Sequence, residues 1–288
     1  EGQVYTNAHK LLKPMNEIYN LMLSAYEQTT EQQKRNATFE VNQQIILAGL
    51  YNGGFFDEAA FYGGTCLRIF HGLQRFSEDM DFSLLAPNKA FDFSRYFQPI
   101  IDEFAIVGRK VEITKKDKKA FGKVESAFLK DNTDVYDVTF QAEESVKIKI
   151  EVDTQPPLKF NTEQKLLLLP KSFMVRCYTL PNLFAGKMHA LLYRTWKHRV
   201  KGRDWYDFEW YIRHNTPLDF NHLHERALQF NQEDISKELF LEKLKQRFST
   251  ADINQVKADV LPFVRNPKEL NIWSNDYFLQ LASKIKFM

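Results

Sequence analysis

The sequence has 288 residues, of which 44% are apolar and 26% charged, and its 39 Lys and Arg against 37 Asp and Glu leave a formal charge of +2. This is the composition of a soluble globular protein with room for two domains or one large one. So small a net charge gives no overall case for nucleic-acid binding, which must rest on local clusters. No stretch approaches the roughly 18 uninterrupted apolar residues of a membrane helix, since Leu166 to Leu169 ends at Pro170, so no membrane partner is expected. Glu1 to Lys10 lacks the basic start, apolar stretch and cleavage site of a secretory signal. Cys66 and Cys177 fit no metal or redox spacing and read as reduced core thiols of a cytoplasmic protein.

Helical periodicity runs over Lys10 to Tyr26 and again from Thr38 to Leu50, ending at Asn52-Gly53-Gly54. Ala59 to Tyr62 then reads as a strand, Gly63-Gly64-Thr65 as a glycine turn opening a short helix capped by Thr65, and Phe76 to Leu84 as a second strand. Phe91 to Phe104 is predicted helical and Val107 to Thr114 a strand. Lys123 to Leu129 and Val135 to Phe140 are weaker strand candidates around a turn at Asp131-Asn132. The clearest strand is Val146 to Val152, where apolar residues alternate with Lys147, Lys149 and Glu151 until Pro156-Pro157 ends it. Beyond Pro170 to Cys177 the pattern is helical nearly to the end. The expectation is an α+β protein: a mixed β-sheet domain flanked by helices over residues 1–170, then a helical domain over 171–288.

Chemistry enters with the carboxylates. Asp79 and Asp81 sit two apart in an apparent strand, on one face, with Met80, Phe82 and Leu84 on the other. Like charges side by side repel and disfavour a strand. Hard oxygen donors at this spacing suit Mg²⁺ or Mn²⁺. Glu151 and Asp153 repeat the arrangement on the later strand, so the four form a candidate metal set. The alternative is a solvated strand edge protected by acids, and for Glu151 the flanking lysines are equally consistent with an exposed face. About 15 residues before the acidic pair, Gly63, Gly64 and Thr65 offer unhindered N–H groups at a helix start, a candidate phosphate cradle. Arg68, Arg75 and Ser77 stand nearby in sequence, either assisting or on the surface.

A third constellation lies in the helical half. On a helix from Leu180 to Arg194, Lys187 and Arg194 fall in the same sector as Leu183, Phe184 and Leu191. Buried ammonium groups require anionic partners or a wet cleft. A nucleoside triphosphate would supply the anion, and so would an internal network with Asp204 and Asp207. The run Lys197, Arg199, Lys201 and Arg203 is either a solvated turn or, with Lys115, Lys116, Lys118, Lys119 and Lys123, a track for RNA phosphates. Trp205, Phe208 and Ile212 are expected in the core. The histidines show no metal-ligand spacing.

Gly63-Gly64-Thr65-Cys66-Leu67-Arg68 followed by Arg75-Phe76-Ser77-Glu78-Asp79-Met80-Asp81 resembles the first motif of the AbiEii/AbiGii toxin nucleotidyltransferases of the polymerase-beta-like superfamily. Lys147 to Asp153 resembles the acidic third strand of that family, and Lys187 to Arg194 and Arg203 to Asp207 resemble its two helical-domain motifs. The four occur in the right order across Ala59 to Tyr211. The resemblance implies transfer of NMP from an NTP to an acceptor hydroxyl, with the tRNA 3′ end as acceptor, a bacterial toxin–antitoxin or phage-defence setting, and an antitoxin partner. It implies that the helical domain completes the active-site cleft. It further implies catalytic roles for Lys187 and for an aspartate, Asp207 first and Asp204 second. The third carboxylate is a candidate general base without assignment. The rivals are a small-molecule, antibiotic-type nucleotidyltransferase and a non-catalytic RNA-binding module of the same fold.

Overall fold

The structure, a computed structural model, describes residues 17–116, 132–141, 146–194 and 200–288. It is a mixed α/β protein whose chain falls into two compact units that interleave along the sequence. One takes residues up to Phe61, Glu78–Pro156 and Gln164–Cys177. The other takes Tyr62–Ser77, Pro157–Glu163 and Tyr178–Met288.

The first unit is built on a seven-stranded sheet. Its strands are β1 (Ala59–Tyr62), β2 (Met80–Leu84), β3 (Val111–Lys115), β4 (Thr133–Phe140), β5 (Lys147–Asp153), β6 (Thr162–Leu167) and β7 (Phe173–Tyr178), in the order β3-β4-β5-β2-β1-β7-β6. β1 runs parallel to β7 and β2 parallel to β5, whereas β4 is antiparallel to both β3 and β5. The alternation expected in β5 is present: Ile148, Ile150 and Val152 are fully buried, Lys147, Lys149 and Glu151 between them are not, and only the terminal Asp153 breaks the pattern by being buried too. Helix α1 (Glu31–Asn52) starts with a capping box at Thr30 and Gln33, which satisfies its first free N–H groups. It packs against α3 (Phe97–Ile106) so closely that a Cβ on Gly49 would lie 2.6 Å from the Ile100 Cα. Phe55 anchors an aromatic core, edge-on to Phe82 at 5.1 Å and Phe93 at 5.5 Å.

The second unit holds α2 (Gly63–His71), α4 (Leu180–Tyr193), α5 (Gly202–Arg213), α6 (Phe220–Asn231), α7 (Lys237–Thr250), α8 (Ile253–Val260) and α9 (Asn275–Ala282). Trp205 and Phe208 are buried as expected and meet Phe248 and Phe278 in an aromatic cluster, while Phe184 stacks on Tyr211 at 4.4 Å. Among the described residues no helix is long and apolar enough to cross a membrane.

Several boundaries move. The second strand begins at Met80, not Phe76, and the expected helix from Phe91 starts as a 3₁₀ turn at Phe93–Tyr96 before α3. Strands β6 and β7 carry no clear alternation in sequence, because β6 is half-exposed along most of its length and its period is blurred by Leu166 to Leu169. The candidate strand Lys123 to Leu129 lies outside the described residues. Cys66 and Cys177 are buried, and neither forms a disulfide.

Candidate active site

In the first unit, the parallel register of β2 and β5 sets Asp81 beside Glu151 and Ser83 beside Asp153. Neighbours in register project to the same side of a sheet, so Asp81 and Glu151 share a face through backbone pairing alone. Asp79 stands one residue before β2. Its Oδ2 lies 3.3 Å from the Lys149 ammonium, which is also 2.7 Å from Glu151 Oε1. Burial opposes the charge on Lys149, but Glu151 and Asp79 outweigh it and hold the ammonium above its ordinary pKa. Asp153 is buried, and one of its oxygens accepts from the Gln155 backbone N–H at 3.1 Å. The donors are hard carboxylate oxygens, the type a Mg²⁺ ion takes. Among the described residues, no three of His, Cys, Asp or Glu are gathered closely enough to form a finished metal cage. A lysine, not a further acid, stands between Asp79 and Glu151.

In the second unit, α2 begins directly at Gly63, whose φ of +81° lies in the left-handed region that favours glycine. The expected cap is corrected here: Tyr62 holds the N-cap position without a side-chain bond, and Thr65 sits inside the helix, its hydroxyl donating to Ser77 Oγ at 3.0 Å. Gly64 leaves space for other groups, since a Cβ there would lie 2.8 Å from Arg75 Nη2 and 2.9 Å from Ser77 Oγ. Arg75 is buried, with Nε 2.6 Å from Asp207 Oδ1 and Nη2 2.6 Å from Asp207 Oδ2. Lys187 on α4 then reaches two residues of α5, its Nζ 2.8 Å from Asp204 Oδ1 and 2.8 Å from Asp207 Oδ2. Arg194, at the end of α4, is 3.4 Å from Asp204 Oδ2.

The internal network that competed with nucleotide binding in the sequence is therefore present. It links Arg75, Lys187, Arg194, Asp204 and Asp207. Burial would raise the Asp207 pKa, yet Arg75 and Lys187 outweigh it and hold the carboxyl below its usual range. Lys187 and Arg194 do the same for Asp204. Arg75 answers in the other direction: burial lowers its pKa and Asp207 more than restores it. Buried carboxylates kept ionised by fixed cations form a rigid polar cluster beside Gly64, Thr65 and Ser77.

Of the basic run, Lys201 and Arg203 are among the described residues. Lys197 and Arg199 lie outside the described residues, as do Lys118, Lys119 and Lys123. Lys201 ends up partly buried, and burial, with Arg194 adding repulsion, lowers its pKa to about 7. The Arg203 guanidinium lies 4.2 Å from the Phe263 ring centre. Lys115 and Lys116 pair with Asp134 and Asp137. Arg75 and Lys149 make contacts that sequence reasoning left unassigned. The Lys-x-Glu spacing on a strand, which places both residues on one face, was the available signal for Lys149.

A family model described as nucleotidyl transferase AbiEii toxin, type IV toxin–antitoxin system, matches residues 45–280. The chain belongs to this family. It is a nucleotidyltransferase, and enzymes of this kind generally use an NTP and a divalent metal. Two solved structures resemble this AbiEii-family chain. A putative nucleotidyltransferase from H. pylori is 18% identical, with a TM-score of 0.49 over 88% of this chain and 93% of its own. JHP933 from Helicobacter pylori is 16% identical, with a TM-score of 0.48 over 89% and 92%. No curated protein matches the sequence.

Proposed function

We propose that this AbiEii-family enzyme transfers NMP from an NTP to an acceptor hydroxyl on RNA, the tRNA 3′ end, using Mg²⁺ or Mn²⁺, and that an antitoxin protein in the same cytoplasm restrains it. The observation that carries the reading is the register of Asp81 with Glu151 on paired parallel strands. It gives a nucleotidyltransferase chain hard oxygen donors on one sheet face. Asp79, Asp81 and Glu151 hold the ion, and the buried Asp153 buttresses them. The bound ion neutralises phosphate charge and lowers the pKa of the attacking oxygen.

Gly63, Gly64 and Thr65 receive phosphate oxygens at the first N–H groups of α2, where the helix dipole adds positive potential. Lys187 and Arg194 neutralise the charge that develops on the leaving pyrophosphate. Asp207 and Asp204 hold the Lys187 ammonium in place, as its two 2.8 Å contacts imply. The acceptor oxygen bonds to the α-phosphorus as the bridge to the β-phosphate breaks, and the hydroxyl proton passes to a base, for which Glu151 is the candidate. Lys201 and Arg203, with Lys197 and Arg199, are the residues proposed to meet acceptor phosphates. Each of the four NTPs, labelled at the α-phosphate, is incubated with bulk tRNA and Mg²⁺. Label on tRNA that disappears in Asp81→Asn is the expected result. Label only on a small hydroxyl compound would replace the RNA acceptor, and no transfer at all, with RNA binding intact in both proteins, would overturn catalysis.

A further inference from the structure

The carboxylate face of the first unit carries its own cation. Lys149 precedes Glu151 by two positions on β5, so the two side chains leave the sheet on the same side. The ammonium does not turn to β4, where Asp137 is paired in register with Lys149. Asp137 is taken by Lys147 at 2.5 Å and Lys116 at 3.5 Å. It turns towards β2 and bridges Glu151 at 2.7 Å and Asp79 at 3.3 Å. Glu151 of β5 and Asp79, just before β2, are thus joined through one lysine whose side chain is 32% exposed.

An ammonium and a divalent ion cannot share those oxygens. Magnesium binds carboxylate oxygen at about 2.0–2.1 Å and repels any positive charge held against the same groups. We infer that Lys149 is a displaceable counter-cation of the metal site: it offsets part of the charge of Asp79 and Glu151 when no ion is bound and must leave them when one enters. The inference rests on the reading that Asp79, Asp81 and Glu151 hold a divalent ion. Ion binding is then opposed by the loss of two ion pairs, and the affinity of the nucleotide-free protein for metal is set low by a residue that is not a ligand. The released ammonium, on a long flexible stem, is left to pair with the polyphosphate of an incoming nucleotide. Metal and nucleotide therefore favour each other's binding.

The test is a Mn²⁺ titration of the full chain at one pH, with free Mn²⁺ read by electron paramagnetic resonance. Lys149→Met should bind Mn²⁺ about tenfold more tightly than the wild type, the effect of removing both competing ion-pair contacts. Lys149→Gln, which keeps the length and a polar end, should shift in the same direction. Lys149→Arg, which keeps the charge, should stay near the wild type. Addition of an NTP should tighten Mn²⁺ binding in the wild type and do so less in Lys149→Met. Wild-type binding that depends on Asp81 but is exceeded by neither neutral variant overturns the counter-cation role alone. Absence of Mn²⁺ binding in the wild type and in every variant overturns the metal reading and this inference together.

Discussion

Arg75 and Asp207, 132 positions apart, face each other fork to fork, with two nitrogen–oxygen distances of 2.6 Å and side chains 3% and 0% exposed. Both belong to the helical unit, although Arg75 comes from the stretch between β1 and β2. Two parallel hydrogen bonds fix the plane of the guanidinium, and Lys187 adds a second cation to the same carboxylate. Removing one member of such a cluster leaves the others buried and unpaired, which costs more than the pair contributes.

Asp207→Ala should therefore lose roughly 3–5 kcal/mol of stability. Asp207→Asn should lose less, because it keeps the shape and one acceptor. The check is the urea midpoint of each variant, with Arg75→Met and the double variant Arg75→Met/Asp207→Ala completing a cycle. A double variant no less stable than Asp207→Ala alone identifies the stranded guanidinium as the cost. Loss of activity in Asp207→Ala counts towards a catalytic role only at a temperature where the variant is shown to be folded.

The same cluster predicts the acid side of the stability curve. Asp204 and Asp207 have folded pKa values below their ordinary ones. A carboxyl depressed in this way contributes stability that is fully present above its unfolded value, about 3.9, and is lost as pH falls through the folded value. Unfolding free energy should thus hold level at mildly acidic pH and fall steeply below about pH 4. Asp204→Asn should be less stable at neutral pH and show a shallower fall. Urea midpoints at pH 6, 4 and 3 test it, and parallel curves for the two proteins would refute the assignment.

Lys201 predicts the opposite flank. Its folded pKa of about 7 lies below the unfolded value of about 10.4. Between the two the unfolded chain binds the extra proton, so stability rises with pH across that window. The penalty is complete below pH 7 and absent once both states are neutral. Lys201→Met should be more stable than the wild type at pH 6, with the advantage shrinking by pH 10. An advantage independent of pH would mean that the methionine gains come from packing and not from a removed charge.

How far these groups could be read from sequence depends on whether local periodicity or long-range pairing places them. The shared face within each strand follows from alternation, and the Lys187 sector from one helix, so both were legible, whereas the register that sets Asp81 beside Glu151 is a pairing between distant strands. The partners were less so. Arg75 was indistinguishable from a surface arginine because its carboxylate is 132 residues away. The network among Lys187, Arg194, Asp204 and Asp207 was foreseeable only as one of two alternatives, since buried lysines need an anion but the sequence does not say whose. Thr65 was misjudged as a cap because Gly63, with its positive φ, lets the helix start three residues early and turns the hydroxyl inward. β6 was hidden by a half-exposed strand, whose side chains need not alternate.

Two glycines separate a steric requirement from a functional one. Gly202 opens α5 and donates its N–H to Asp259 at 2.8 Å, and a Cβ there would lie 2.0 Å from the Val256 carbonyl oxygen. Backbone atoms of α8 cannot swing aside as a side chain can, so Gly202→Ala should force α5 and α8 apart and cost at least about 1–3 kcal/mol. At Gly64 the obstructing atoms are side-chain ends, Arg75 Nη2 and Ser77 Oγ. Arg75 is nevertheless pinned by Asp207, so the added methyl either tilts that fork or moves α2. Gly64→Ala should lower the melting temperature less than Gly202→Ala does, yet reduce nucleotidyl transfer more at a temperature where both variants are folded. Thermal melting and initial rates on the same preparations decide this. If Gly64→Ala keeps wild-type rates, the bare Cα at the start of α2 is needed for packing and not for approach of phosphate.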